Sequence, residues 1–108
     1  MKKIYNKLVR DNIPAIIRKS KKKARYRVLD QNEYKQALKA KLVEEATELL
    51  NAETLDEMIE ELADIKQVLE TLLFINDISK NDIAIRQADK WREKGGFDLR
   101  YYLESVED

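Results

Sequence analysis

Two short acidic motifs contain the residues whose spacing could support metal chemistry. The first motif is Glu44-Glu45-x-x-Glu48, and the second is Glu61-x-x-Asp64, far enough along the chain for one helix to end and another to begin. Carboxylates three positions apart project side by side from a helix. If the second helix folds back on the first, the motifs converge, and carboxylates removed from water need a cation to neutralise them. The pattern therefore predicts a divalent metal site.

The residue types that the chain lacks narrow the chemistry of such a site. There is no Cys and no His, so disulfides, zinc fingers, and Cys–His or Ser–His–Asp catalysis are excluded. A metal ion must then be held by oxygen atoms, which favours Mg²⁺, with Mn²⁺ as the second choice. Mg²⁺ retains water and substrate phosphates in its coordination shell. The expected chemistry is therefore attack by water on a phosphorus atom.

The competing interpretation is that these acids lie on solvated helix faces, where acidic pairs at this spacing are common. The position of Glu45 weighs against it. At about 100° per residue, Glu45 falls inside an apolar stripe that consists of Tyr34, Leu38, Leu42 and Leu49. Glu48 lies at the edge of this stripe, and Glu44 points toward solvent or the rim. A carboxylate on an inward face is the type of local conflict found at functional sites, but from the residues alone both interpretations stay open.

Length and charge limit the class of protein. The chain has 108 residues, which is enough for one domain spanning residues 1–108 with one hydrophobic core. Lys plus Arg number 21 and Asp plus Glu number 21, which weighs against stable nucleic-acid binding because such proteins are usually basic. No apolar run approaches the ~18 residues of a membrane span, and the N-terminus lacks the apolar region of a signal peptide. We expect no membrane association and a cytoplasmic location.

Capping signals divide the chain into four predicted helices. Their starts are marked by Asn12 with Pro14, by Asp30, by Thr54 and by Ser79. Gly95-Gly96 ends the fourth helix, and a phosphate-binding turn is its secondary interpretation. The predicted helices cover residues 13–20, 31–52, 55–75 and 80–94. The fold class is all-α, a helical bundle in which an antiparallel helix pair carries the acidic metal site.

The third predicted helix is apolar on more than one side. One stripe consists of Leu55, Met58, Leu62, Ile65, Leu69 and Leu72, whereas the acids Glu61 and Asp64 share a second face with Val68 and Ile75. A helix of this type lies in the middle of a bundle or at a dimer interface. The acidic pair should therefore be partly buried.

The C-terminal part of the chain is rich in aromatic residues. We expect four of them to lie in the core, namely Trp91, Phe97, Tyr101 and Tyr102. Residues 100–103 are also the candidate partner of residues 25–29, a short stretch of alternating polarity, in a minor two-stranded β element.

Four segments in this order resemble one enzyme family. They are Lys7-Leu-Val-Arg-Asp11 with Ile13-Pro14, Lys41-Leu-Val-Glu-Glu45, Glu60-Glu-Leu-Ala-Asp64 and Lys94-Gly-Gly-Phe97. Together with the acidic motifs they are similar to the MazG-type all-α nucleoside triphosphate pyrophosphohydrolases. The similarity is to the small stand-alone branch described as phosphoribosyl-ATP-pyrophosphohydrolase-like, and it extends over nearly the whole chain.

The resemblance implies a Mg²⁺-dependent hydrolase of phosphoric anhydride bonds that releases a nucleoside monophosphate and pyrophosphate. It implies an assembly of two chains or a dimer of dimers, and a role for Glu44 in orienting the attacking water. The implied metal ligands are Glu45, Glu48, Glu61 and Asp64. Basic residues at positions where they could meet the substrate phosphates are Lys41, Lys90 and Lys94. The residues themselves assign no role to the segment Lys7–Asp11, in which Arg10 and Asp11 are candidates.

The predicted function is house-cleaning hydrolysis of non-standard or excess nucleoside triphosphates. Within the enzyme class, the alternative is phosphoribosyl-ATP pyrophosphohydrolase. The alternative from another class is a non-catalytic helical module that dimerises through the apolar surface of residues 55–75 and binds a protein or a regulatory nucleotide.

Overall fold

Four α-helices joined by segments without regular structure make up the chain, and the computed structural model describes all of residues 1–108. The helices are α1 Ile13–Lys19, α2 Gln31–Leu50, α3 Leu55–Ile75 and α4 Lys80–Lys94. The all-α prediction is confirmed, and the bounds of α3 and α4 are those predicted. None of the helices has the length and apolar character that crossing a membrane requires. The chain divides into two compact units, Met1–Asn76 and Asp77–Asp108.

Three helices begin at the predicted N-cap residues, which are Asp30, Thr54 and Ser79. Each of these side chains accepts a hydrogen bond from the backbone N–H three positions further on, at 2.9 to 3.1 Å. The capping box is reciprocal at Ser79, whose own N–H donates to the carboxylate of Asp82. At Asp30 the expected reciprocal partner, Glu33, instead accepts two hydrogen bonds from Arg27. These caps explain why the starts of the long helices could be read from sequence.

The predicted start of α1 is confirmed, since Asn12 is its N-cap residue and Pro14 lies in its first turn, although the Asn12 side chain makes no capping hydrogen bond. The prediction of a β element was wrong. No strand forms at residues 25–29 or 100–103, where the minor β element was expected. A short alternating stretch is stable as a strand only when a neighbouring strand supplies its hydrogen bonds, and alternation alone does not supply one.

Helices α2 and α3 form an antiparallel pair, because α3 folds back along α2 after the short loop of residues 51–54. Two apolar side chains are buried in this pair, Leu38 of α2 and Val68 of α3. The predicted apolar stripe of α2 does face α3. On α3, however, the face turned inward is the one that carries Val68 and the acids, whereas most of the regular leucine stripe remains exposed.

The C-terminal unit consists of α4 and an irregular tail. Gly95 ends α4 with φ 81° and ψ −174°, a conformation open essentially to glycine, and its N–H donates to the carbonyl of Trp91 at 2.8 Å. Every residue of this unit is exposed. The aromatics Trp91, Phe97, Tyr101 and Tyr102 are therefore exposed rather than in a core as predicted, since one helix and a tail provide no second layer to pack against.

Candidate metal centre

The five predicted acidic residues come together between α2 and α3. Carboxylate oxygens of Glu44, Glu45 and Glu48 lie within 4.8 Å of one another, and so do those of Glu45, Glu61 and Asp64. Glu45 belongs to both groups. The antiparallel pairing thus brings together the two motifs that the sequence separates, with the one carboxylate from the apolar stripe at their centre.

Glu45 is the most buried charged residue of the chain, at 5% exposure. Its Oε1 atom is paired with Nζ of Lys41 at 3.3 Å, one turn earlier on α2. Its Oε2 atom is buried without a hydrogen-bond partner, and so is Oε2 of Glu61 on the facing helix. Buried carboxylate oxygens are costly unless something binds them. Two such atoms from neighbouring carboxylates fit a hard divalent cation, which prefers oxygen ligands.

The pKa values of two of these carboxyl groups are raised in the absence of a metal ion. Burial, together with the neighbouring carboxylates of Glu48 and Glu45, raises the pKa of Glu61 to about 7. Burial and then Glu48 also raise the pKa of Glu45, against the opposing effects of Glu61 and Lys41. Packing several acids into one place disfavours their ionised forms. A bound cation would reverse this effect, because metal ligands bind in their deprotonated forms.

Glu44 has a different environment from the other carboxylates. Burial alone would raise its pKa, but hydrogen bonds from Lys7 at 3.1 Å and Lys41 at 3.2 Å outweigh that effect and lower the pKa of Glu44 below its ordinary value. Both lysines bind the same atom, Oε1. Glu44 therefore stays ionised at neutral pH, and its second oxygen can accept a hydrogen bond from another group.

The segment before α1 reaches the cluster through two cationic side chains, Lys7, which the sequence did not identify as a site residue, and Arg10, which was a candidate without an assigned role. Lys7 binds Glu44 on α2, and Nη2 of Arg10 binds Oδ1 of Asp64 on α3 at 2.6 Å. The signal that could have found them was the resemblance of the Lys7–Asp11 segment to the family branch. Asp11, in the same segment, is exposed at the turn before α1.

The three cations at the cluster are fewer than its five carboxylates. Lys7, Arg10 and Lys41 leave two negative charges unbalanced when all five acids are ionised. One divalent cation would balance them.

Three basic residues were predicted to meet the substrate phosphates. Lys41 is at the cluster, whereas Lys90 and Lys94 belong to α4 in the C-terminal unit. The roles of all three stay predictions.

An antiparallel helix pair with a carboxylate cluster at its centre is the arrangement expected of an all-α metal-dependent hydrolase. A family model described as phosphoribosyl-ATP pyrophosphohydrolase matches residues 12–88, which is most of the chain. The chain therefore belongs to the phosphoribosyl-ATP pyrophosphohydrolase family, within the MazG-like superfamily of all-α nucleoside triphosphate pyrophosphohydrolases. Comparisons with curated proteins and with solved structures give no match.

Family membership makes the chain a hydrolase of phosphoric anhydride bonds that acts on a nucleotide-like substrate, and the family depends on a metal ion. The matched region includes all five acids of the cluster. It begins after Lys7 and Arg10, so the match itself says nothing about these two residues.

Proposed function

We propose that this protein is a Mg²⁺-dependent nucleoside triphosphate pyrophosphohydrolase that removes non-standard or excess nucleotides. The observation that carries the proposal is the pair of buried, unpartnered oxygens on Glu45 and Glu61, at the centre of five converging carboxylates. A purely structural cluster would leave these atoms uncompensated. Oxygen ligands favour Mg²⁺ over softer metals, with Mn²⁺ as the second choice.

In this proposal Glu45, Glu48, Glu61 and Asp64 hold the metal ion. Bound there, Mg²⁺ would offset the negative charge that develops as pyrophosphate leaves. Glu44 binds Lys7 and Lys41 through Oε1, which leaves Oε2 to accept a hydrogen bond from the attacking water. The lysines keep this carboxylate ionised and fix its orientation, so the water is held in one position relative to the substrate.

The scissile bond lies between the α and β phosphates, and the products are a nucleoside monophosphate and pyrophosphate. Phosphoribosyl-ATP contains the same linkage, so the proposed chemistry is common to both candidate substrates. Nothing at the carboxylate cluster selects a base or a sugar, and the choice between the two must be measured.

We also propose that the enzyme acts as a homodimer or as a dimer of dimers. The outward stripe of α3 leaves large apolar side chains exposed, among them Leu55, Met58, Leu62 and Leu69. The C-terminal unit buries none of its residues. Soluble monomers rarely expose such continuous apolar surface, and a second copy of the chain is a partner that is always present to cover it. A cytoplasmic location stays a prediction of the sequence.

The test of the proposed function is pyrophosphate release from a panel of canonical and modified nucleoside triphosphates together with phosphoribosyl-ATP. Each substrate is assayed with Mg²⁺ and with EDTA. We expect release that requires the metal ion and is lost in Glu48→Gln. Glu53→Gln is the matched control, because Glu53 is exposed just beyond α2 and away from the cluster motifs.

A folded protein that releases pyrophosphate from no member of the panel, and that Mg²⁺ does not stabilise, would rule out this proposal. Release from phosphoribosyl-ATP alone would retain the reaction but assign phosphoribosyl-ATP as the substrate in place of non-standard or excess nucleoside triphosphates.

A further inference from the structure

The N-terminal segment, residues 1–11, has no regular secondary structure, yet it contacts both helices of the acidic cluster. Lys7 reaches Glu44 on α2 at 3.1 Å, and Arg10 reaches Asp64 on α3 at 2.6 Å. Two cations of one short segment thus end on carboxylates from two different helices. The segment lies along the border of the cluster rather than on an unrelated surface.

These two cations differ from Lys41, the third cation of the cluster. The side chain of Lys41 is 16% exposed and lies between two carboxylates, Glu44 and Glu45. Those of Lys7 and Arg10 are 38% and 59% exposed, and each makes one ion pair. An Arg has five N–H donors and a Lys has three, so most donors of both residues are free to bind a ligand that approaches from solvent.

Fold stability does not account for the two contacts. Exposed ion pairs contribute roughly 0–1 kcal/mol at most, and the segment that carries them has no helix or strand to stabilise. An anion with several charges competes readily for cations held this weakly. Arginine in particular matches phosphate geometry with its planar fork of donors.

The position of Arg10 also fits a polyphosphate. Arg10 binds Oδ1 of Asp64, one of the carboxylates that would hold the metal ion in the proposed function. The remaining guanidinium donors of Arg10 would therefore be available beside a phosphate group bound to that ion. Lys7 likewise binds one oxygen of Glu44, the residue proposed to orient the water, and keeps its other donors free.

We propose that Lys7 and Arg10 bind the phosphate groups of the nucleotide substrate, so that the N-terminal segment forms one wall of the active site. This inference rests on the proposed function and deepens it. It assigns a role to a part of the chain that lies outside the family match.

The test measures two affinities of the full-length protein by calorimetry, one for Mg²⁺ alone and one for inorganic pyrophosphate in saturating Mg²⁺. In Arg10→Gln and in Lys7→Gln we expect pyrophosphate to bind about ten-fold more weakly or worse, the loss of one charge-assisted hydrogen bond. Mg²⁺ should bind as well as before or better, because each variant removes a cation that repels it. Arg10→Lys should recover part of the pyrophosphate affinity, since it keeps the charge but not the fork.

Arg18→Gln is the matched control, because Arg18 is exposed on α1 and makes no ion pair, and it should change neither affinity. Thermal melts establish that every variant is folded. If Arg10→Gln and Lys7→Gln tighten Mg²⁺ but leave pyrophosphate binding unchanged, the two residues are counter-ions only and the inference is overturned. That outcome would leave the proposed function intact, because the wild type would still hydrolyse nucleotides. A wild type that neither binds pyrophosphate nor releases it from any substrate overturns the proposed function as well.

Discussion

Two faces of α3 reverse the arrangement that is usual for a helix in a globular protein, in which the apolar face packs inward and the charged face is in solvent. The face that packs on α2 contains Glu61 and Asp64 beside the buried Val68. The adjacent face, about 100° round the helix, contains leucines such as Leu62 and Leu69, which are exposed. Acids turn inward where a cation can be bound, and leucines turn outward where another chain can cover them. The proposed function accounts for both inversions, with a metal ion bound on one face and a second copy of the chain on the other.

The largest expected effect comes from the inward face. Glu61→Gln and Asp64→Asn each remove one proposed metal ligand and should lower kcat by about 10²–10³, the loss typical of an electrostatic group at a reacting phosphate or carbonyl. Glu60→Gln, on an exposed position directly beside Glu61, should retain wild-type activity. Steady-state pyrophosphate release measures all three variants. Equal activity in all three would show that the inward acids have no part in the chemistry.

The outward face should respond through assembly. Leu62→Lys and Leu69→Lys place a charge on the proposed interface, where central residues commonly cost about 2 kcal/mol or more of binding free energy. Sedimentation velocity should show the wild type as a dimer or larger and these variants shifted toward monomer. Lys66→Glu is a control on the exposed surface of the same helix, where Lys66 forms a weak ion pair with Glu70. If the wild type sediments as a monomer at all concentrations, the outward leucines are not covered by a second copy.

The pH dependence of stability is a second test of the inward face, through the ionisation of Glu61. The pKa of Glu61 rises from its ordinary value of 4.5 to about 7 in the folded, metal-free protein. Between these values the folded state retains a proton that the unfolded state has released, so the free energy of unfolding falls as the pH rises through this window. Mg²⁺ needs the deprotonated carboxylate, so its stabilising effect should increase over the same range.

Melting temperatures in EDTA and in Mg²⁺, recorded from about pH 5 to about pH 8, measure this linkage. As the pH rises, we expect the melting temperature to fall by a few degrees in EDTA and to rise by a few degrees in Mg²⁺. Glu61→Gln should flatten both profiles. Parallel profiles with and without Mg²⁺ would mean that metal binding and the ionisation of Glu61 are independent.

The smallest effect concerns the start of α3, which belongs to neither face. Thr54 accepts a hydrogen bond from the N–H of Glu57 at 3.1 Å, and Thr54→Ala should lower the free energy of unfolding by about 1 kcal/mol. In Thr47→Ala, the hydroxyl that is lost bonds a carbonyl within α2, and alanine's higher helix propensity offsets that loss. Urea denaturation measures the free energy of unfolding of both variants. An equal decrease in Thr54→Ala and Thr47→Ala would show that the cap contributes nothing specific.

The sequence by itself determined the helices and the acids. The caps at Asp30, Thr54 and Ser79, and the glycine after α4, are local interactions within a few residues, so the starts of the long helices and the end of α4 could be predicted. Helix α2 ends at Leu50, two residues before the predicted end. Glu45 could be identified as a candidate site residue because it interrupts an apolar stripe, and this conflict is visible without any knowledge of the partner helix.

The tertiary structure alone decided which side of α3 packs on α2. Both sides are apolar enough to be buried, so periodicity could not choose between them, and the choice depends on what the facing helix presents. It also decided that Lys7 and Arg10 lie on the carboxylates, because that contact joins residues far apart in sequence through a segment without regular structure. Local patterns record interactions along one helix, whereas a site assembled from three segments exists only once the chain has folded.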